Sequence, residues 1–104
     1  MLATLFFGRA VQGGPPVSQR EWEDFADSVI TPRFPEGFTV LEGQGQWRNP
    51  ETGRLVREDS KILLLGAADQ PATLRGLDEI AAEWRRRFRQ ISVGRITRRV
   101  CAAF

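Results

Sequence analysis

Two short stretches constrain this chain more than anything else in it. Residues 2–7 read Leu-Ala-Thr-Leu-Phe-Phe, and residues 61–66 read Lys-Ile-Leu-Leu-Leu-Gly. Side chains alternate between the two faces of a strand, so a strand that is apolar on both parities is covered on both faces. A chain of 104 residues forms one domain (1–104) and has few helices with which to cover a sheet. Something else must therefore meet the second face, either another copy of the chain or a ligand.

The remaining elements follow from local signals. Gly13-Gly14-Pro15-Pro16 is a loop, and Ser18 with Glu21 forms a capping box that opens a helix. Trp22, Phe25, Ala26, Val29 and Ile30 give that helix its buried stripe, and Thr31-Pro32 is expected to end it. A second strand is predicted over residues 38–47. The turn residues Asn49-Pro50-Glu51-Thr52-Gly53 then lead to a third strand over 55–65. Pro71 opens a second helix with Leu74, Leu77, Ile80, Ala81, Trp84 and Phe88 on its inner face. A last strand is expected over 92–104, with Ile96, Val100 and Phe104 on one parity. The order strand, helix, strand, strand, helix, strand predicts an α+β fold. It is a ferredoxin-like βαββαβ sandwich, with a four-stranded antiparallel sheet and both helices on one face. In that topology the first and third strands are central, and these are the two doubly apolar ones. The uncovered face then suggests a homodimer of the dimeric α+β barrel kind.

Composition excludes several chemistries. The chain has no histidine, which removes the usual general base near neutral pH and the usual metal ligand. With Cys101 as its single cysteine, no intrachain disulfide forms, and no zinc or copper site is expected. No cofactor is expected either. Gly43-x-Gly45 lies inside a strand and opens no helix, so it is not a phosphate loop. No run approaches membrane-spanning length, and residues 2–7 are read as a strand and not as a leader, so the expected location is the cytoplasm. Cys101-Ala-Ala-Phe spells a prenylation signal, but the predicted strand there argues against it. The net charge of +2 divides unevenly. Residues 1–83 hold 8 basic and 13 acidic side chains, while residues 84–104 hold seven arginines and no acid. That basic end is read as a solvated helix terminus, where cations meet the negative end of the dipole.

The candidate site residues lie in the middle of the chain. Glycine inside a strand marks tight helix packing, or else close approach of a ligand or another backbone. Under the second reading Gly43 and Gly45 floor a hollow flanked by Trp47; Gln44 and Gln46, donors and acceptors suited to a neutral polar ligand, lie on the opposite parity unless a bulge re-aims one of them. Glu58 and Lys61 are the catalytic candidates. Glu58 would act as a base, with Lys61 or Arg33 stabilising an oxyanion or enolate; the plainer alternative is a charged hairpin corner. Arg9 and Arg48 are candidates for binding a carboxylate.

Several blocks carry a family resemblance. They are Phe6-Phe7-Gly8, Val17-Ser18 to Trp22, Thr31-Pro32-Arg33-Phe34-Pro35, Gly45-Gln46-Trp47-Arg48, Arg57-Glu58-Asp59-Ser60-Lys61, Phe88-Arg89-Gln90 and the ending from Cys101 to Phe104. Together they resemble the bacterial domain of unknown function 3574 family over essentially the whole chain. The resemblance implies a small α+β domain, often exported in relatives, and transfers no catalytic residue. The chain departs from it at Ile91, where relatives tend to have an acid, and in having no tyrosine.

The functional expectation is a small-molecule site between the sheet and a partner copy, in a cofactor-independent isomerase- or cyclase-type enzyme. The alternative is a non-enzymatic protein-binding or assembly module. Nucleic-acid binding ranks third, because RNA-recognition sheets stack bases on aromatics of the third strand, and here that strand is Ile62-Leu63-Leu64-Leu65.

Overall fold

A computed structural model describes all residues, 1–104. Its four strands are β1 (Leu2–Gly8), β2 (Thr39–Arg48), β3 (Leu55–Gly66) and β4 (Gly94–Arg98). They form one antiparallel sheet in the order β2-β3-β1-β4, the ferredoxin-like arrangement with β1 and β3 at the centre. The helices lie on one face of it. They are α1 (Gln19–Phe25), a π-helical turn (Ala26–Ile30), a closing turn α2 (Thr31–Arg33) and the long α3 (Pro71–Phe88).

The capping box forms as expected. The Ser18 side chain accepts from the Glu21 amide, and the Glu21 carboxylate accepts from the Ser18 amide. Pro32, however, does not end the helix, which runs on to Arg33. The π turn explains this difference. The Thr31 amide reaches back five residues to Ala26 O, and the Thr31 hydroxyl donates to the same oxygen at 3.0 Å. Arg33 Nη1 donates to Val29 O at 2.9 Å. Side chains thus serve carbonyls in the widened turn, and the missing proline N–H breaks nothing essential.

The helix face of the sheet presents Ala3, Leu5 and Phe7 from β1 and Leu63 and Leu65 from β3, all buried. Against them sits an aromatic cluster. Trp84 stacks at 5.0 Å from both Phe7 and Phe25 and at 4.5 Å from Phe88, and Trp22 lies 5.3 Å from Phe7. Edge-to-face and tilted ring contacts of this kind add to simple area burial and hold the two helices in register on the sheet.

The last strand is much shorter than expected. Arg98 lies opposite Leu2, the first paired residue of β1, and residues 99–104 find no ladder partner. Val100, Cys101 and Phe104 are consequently exposed and lie outside any strand.

Leu2, Thr4, Ile62 and Leu64 look away from the helices and are half-buried, while Phe6 and Leu41 are exposed there and Ile96 is 61% exposed. This open face of the sheet is therefore largely apolar. No helix is long and apolar enough to cross a membrane.

Candidate functional site

The site is built where β1 ends and the β2–β3 hairpin continues past it. Gly8 is opposite Ser60, where the β1–β3 ladder ends, with one further bond from the Arg9 amide to Asp59 O at 3.0 Å. Glu58 sits just past that end. Its register partner on β2 is Gly45, with Trp47 two residues further along the same face.

The Glu58 carboxylate is fixed at both oxygens. Trp47 Nε1 donates to Oε1 at 2.8 Å, and the Ala10 amide donates to Oε2 at 2.7 Å. It also lies directly over Gly8, where a Cβ would come within 2.1 Å of Oε1. Gly8 thus gives the carboxylate room by close approach, and not through an unusual backbone angle. Each oxygen accepts one N–H, as an ionised carboxylate does, which leaves further lone pairs for a ligand.

Around Glu58 is a hollow of about 300 Å³ on the open face. Phe6 and Trp47 supply rings, and Gly8, Gly45 and Gly94 line it alongside Ser60 and Gln90. The strand glycines serve this side and not helix packing. A Cβ on Gly45 would meet Ser60 Oγ at 3.0 Å, and one on Gly43 would meet the Ile62 side chain at 2.8 Å. On the other side of the same hairpin, toward the helices, lies a groove of about 770 Å³. Arg9, Gln44, Gln46, Arg57 and Asp59 line it, and Gly45, Gln46 and Glu58 line both spaces.

The residues singled out from the sequence are therefore distributed over five places. Glu58 and Trp47 meet directly. Arg9, Gln44 and Gln46 gather in the helix-side groove, with the Gln46 amide oxygen accepting from Arg57 Nε at 2.8 Å. Lys61, Arg33 and Arg48 are elsewhere. Lys61 points to the opposite face from Glu58, is 1% exposed, and is bound by Glu42 and by Gln19 Oε1. Positions 58 and 61 differ by three, an odd number, so the pleat sends them to opposite sides. Arg33 is at the far end of the sheet, near Gly66 and Ala67, paired with Glu79 at 3.2 Å. Arg48 Nη1 closes the hairpin turn on Gly53 O at 2.7 Å.

Phe6, Gly8, Ser60 and Gln90 line the hollow but were not among the residues chosen from the sequence. Phe6 and Gly8 share the parity of the open face of β1, a signal present in the sequence. Gln90 follows a left-handed residue, Arg89 (φ 54°), that ends α3, and its Nε2 donates to Ala10 O at 2.8 Å. No strand pattern marks that position.

No group of three or more histidine, cysteine or acidic residues is arranged to hold a metal ion. Among the titratable groups, the clear shifts lie away from the site. The hydrogen bond from Arg86 holds the Glu83 carboxyl below its usual range, and Glu83 in turn raises Arg86.

A family model described as "Protein of unknown function (DUF3574)" matches residues 3–104. No curated protein matches the chain. Among solved structures, a phage SAM lyase in complex with S-methyl-5'-thioadenosine is similar with a TM-score of 0.71 and 22% identity. The match covers 90% of this chain and 76% of that one. A phage SAM lyase in the apo state is similar with a TM-score of 0.65 and 22% identity, over 90% and 75% of the two chains. These likenesses show a shared fold.

Proposed function

The chain belongs to that family of unknown function, and from this premise we propose that the protein is a small-molecule enzyme whose site is the hollow around Glu58. A second copy, lying across the open face of the sheet, covers that hollow. The observation that carries the reading is the Glu58 carboxylate, held between the Trp47 indole and the Ala10 amide over the Gly8 backbone. A charged group anchored that firmly beside two aromatic rings suits a ligand that is flat at one end and carries a positive or acidic centre next to it. The rings supply stacking surface, and Glu58 supplies a base or a counter-charge.

The ligand class proposed is an adenosyl thioether or sulfonium. The phage SAM lyase that shares this fold was solved with such a molecule, which supports the choice without transferring any residue role. The half-buried apolar residues of the open face support pairing of two copies, because a patch of that character on a monomer marks an interaction surface. Reactions that need imidazole or paired thiols remain outside the proposal, since the chain has neither.

The test is calorimetric titration of the purified protein with S-methyl-5'-thioadenosine, together with chromatography of S-adenosylmethionine incubated with the protein. Saturable binding, and consumption of the sulfonium that Glu58→Gln abolishes, is the expected result. Full consumption by the Glu58→Gln variant removes Glu58 from the chemistry, and absence of both binding and turnover rejects the ligand class. The same apolar face also fits a purely structural pairing of copies, and that reading is the one left standing by a dimer that binds neither compound.

A further inference from the structure

One side chain from the end of α3 reaches the backbone that holds Glu58. The helix stops at Arg89, which is left-handed (φ 54°), and the amides of Arg89 and Gln90 both donate to Arg85 O, the second at 3.1 Å. Phe88, two residues before Gln90, is buried and packs 4.5 Å from Trp84. The backbone at Gln90 is therefore fixed both by the core and by the helix cap. From there its Nε2 spans 80 positions of chain to donate to Ala10 O at 2.8 Å. Ala10 lies two residues past the end of β1, and its own amide donates to Glu58 Oε2 at 2.7 Å. A carbonyl oxygen can only accept, so the donor end of the Gln90 amide is the end that must face it.

We propose that Gln90 is a positioning residue for Glu58, acting through the Ala10 backbone. The inference rests on the reading that Glu58 is the working carboxylate of the Trp47 hollow, and it adds the side chain that keeps this carboxylate aimed. No ladder bond reaches Ala10, because the β1–β3 pairing ends at Gly8 and Ser60 with one further bond from the Arg9 amide. The peptide joining Arg9 to Ala10 is held by Val17, whose amide donates to Arg9 O at 2.8 Å. Gln90 holds the peptide that follows, so the Ala10 N–H is set between two fixed groups. Glu58 Oε2 thus meets a donor that is tied to the core, and Oε1 is left to Trp47 at 2.8 Å. A donor ordered in advance loses little freedom on contact, so it fixes a charged group better than a mobile one does.

The experiment follows by NMR the two protons that meet the Glu58 oxygens in the free protein. The Trp47 indole N–H reports Oε1, the Ala10 amide reports Oε2, and Glu58→Gln gives the reference shift for both. Gln90→Met keeps the length of the side chain and removes its donor, whereas Gln90→Lys supplies a donor again. Gln90 is half-buried and lies outside the helix, so both variants keep the fold. In Gln90→Met the indole proton should move toward its Glu58→Gln position. The Ala10 amide should exchange roughly fivefold faster, as the loss of one ordinary hydrogen bond implies. Gln90→Lys should return both toward wild-type values. A side chain that merely braced the loop would speed Ala10 exchange and leave the indole proton in place, and that result overturns the proposal. A shift that persists in Gln90→Lys also overturns it, since the cause is then lost shape and not the donated hydrogen bond. The readout needs no ligand. The expected shifts in a protein that binds no adenosyl compound uphold the positioning and reject the ligand class alone.

Discussion

Trp47 and Glu58 face each other across the β2–β3 hairpin, and the indole N–H donates to the carboxylate at 2.8 Å. The indole and the carboxylate are eleven residues apart in sequence, yet offset strand register brings them to one face, because Gly45 pairs with Glu58 and Val56 with Trp47. Diagonal neighbours of that kind are within reach of a long side chain and an aromatic one. The contact orders the one charged group of the open-face hollow, and it makes Trp47 a spectroscopic reporter of Glu58.

Gly8→Ala should therefore disturb the site from beneath. The added methyl group would come within 2.1 Å of Glu58 Oε1 and push the carboxylate off both donors. What gives way is the end of a flexible side chain, so the cost is that of its lost hydrogen bonds, on the order of 1 kcal/mol. A lowered urea midpoint is expected, together with a change in tryptophan emission that Trp47→Phe suppresses. Unchanged emission in Gly8→Ala would show that Glu58 had kept its place.

Lys61 and Glu42 offer a test of asymmetry. The Lys61 ammonium is buried, whereas the Glu42 side chain is 65% exposed. Removing Glu42 leaves a buried cation with only Gln19 beside it, while replacing Lys61 by methionine frees a carboxylate that water can solvate. Deleting one partner of a fully buried pair costs about 3–5 kcal/mol; with Glu42 mostly in solvent the loss here is smaller, and apolar replacement of the buried partner costs less still. Glu42→Ala should thus destabilise the protein more than Lys61→Met in denaturant titrations. The reverse ranking would mean that Lys61 is held by something other than its charge pair.

The exposed face of α3 carries a small acid-sensitive contribution. The hydrogen bond from Arg86 holds the Glu83 carboxyl below the usual range, with charge from Arg86, Arg87 and Arg33 acting in the same direction. A carboxyl depressed in the folded state adds stability above its unfolded pKa, and this is lost as the pH falls through the lower folded value. Glu83→Gln should remove that increment at neutral pH and change little once the pH is well below the ordinary glutamate range. Thermal melts of both proteins across that window check the sign, and since the pair is at the surface, added salt should shrink the difference.

A charge placed on the open face should separate copies without unfolding them. Leu41 and Ile96 are 47% and 61% exposed in the single chain, so glutamate at both positions stays solvated there. Between two paired sheets the same charges would be desolvated and repelled. Light scattering should report a dimer for the wild-type protein and a monomer for Leu41→Glu/Ile96→Glu, with circular dichroism unchanged. A wild-type monomer at micromolar concentration removes the pairing.

The fold could be read from the sequence because its signals are local and repeated. Runs apolar on both parities marked β1 and β3, the Ser18–Glu21 box marked the start of α1, and the stripe from Leu74 to Phe88 marked α3, although Leu74 itself is exposed. The order of these elements then left few topologies to choose among. Two errors came from treating local rules as final. Thr31-Pro32 looked like a stop because a proline breaks an ideal helix, yet the π turn found other partners for the carbonyls. Residues 99–104 looked like strand because their pattern continued, yet β1 had no residues left to pair with them.

The sequence by itself determined which strands are central, which face each helix buries, and that imidazole and paired-thiol chemistry are absent. Only the tertiary structure decided which polar groups meet. Gln90 reaches Ala10 from the end of α3, and Arg9 and Arg57 come to one groove across 48 positions of chain. Periodicity reports the direction of a side chain relative to its own backbone. Contact between distant segments depends on where β1 stops against β3 and on how the sheet is layered on the helices, and no local pattern encodes either.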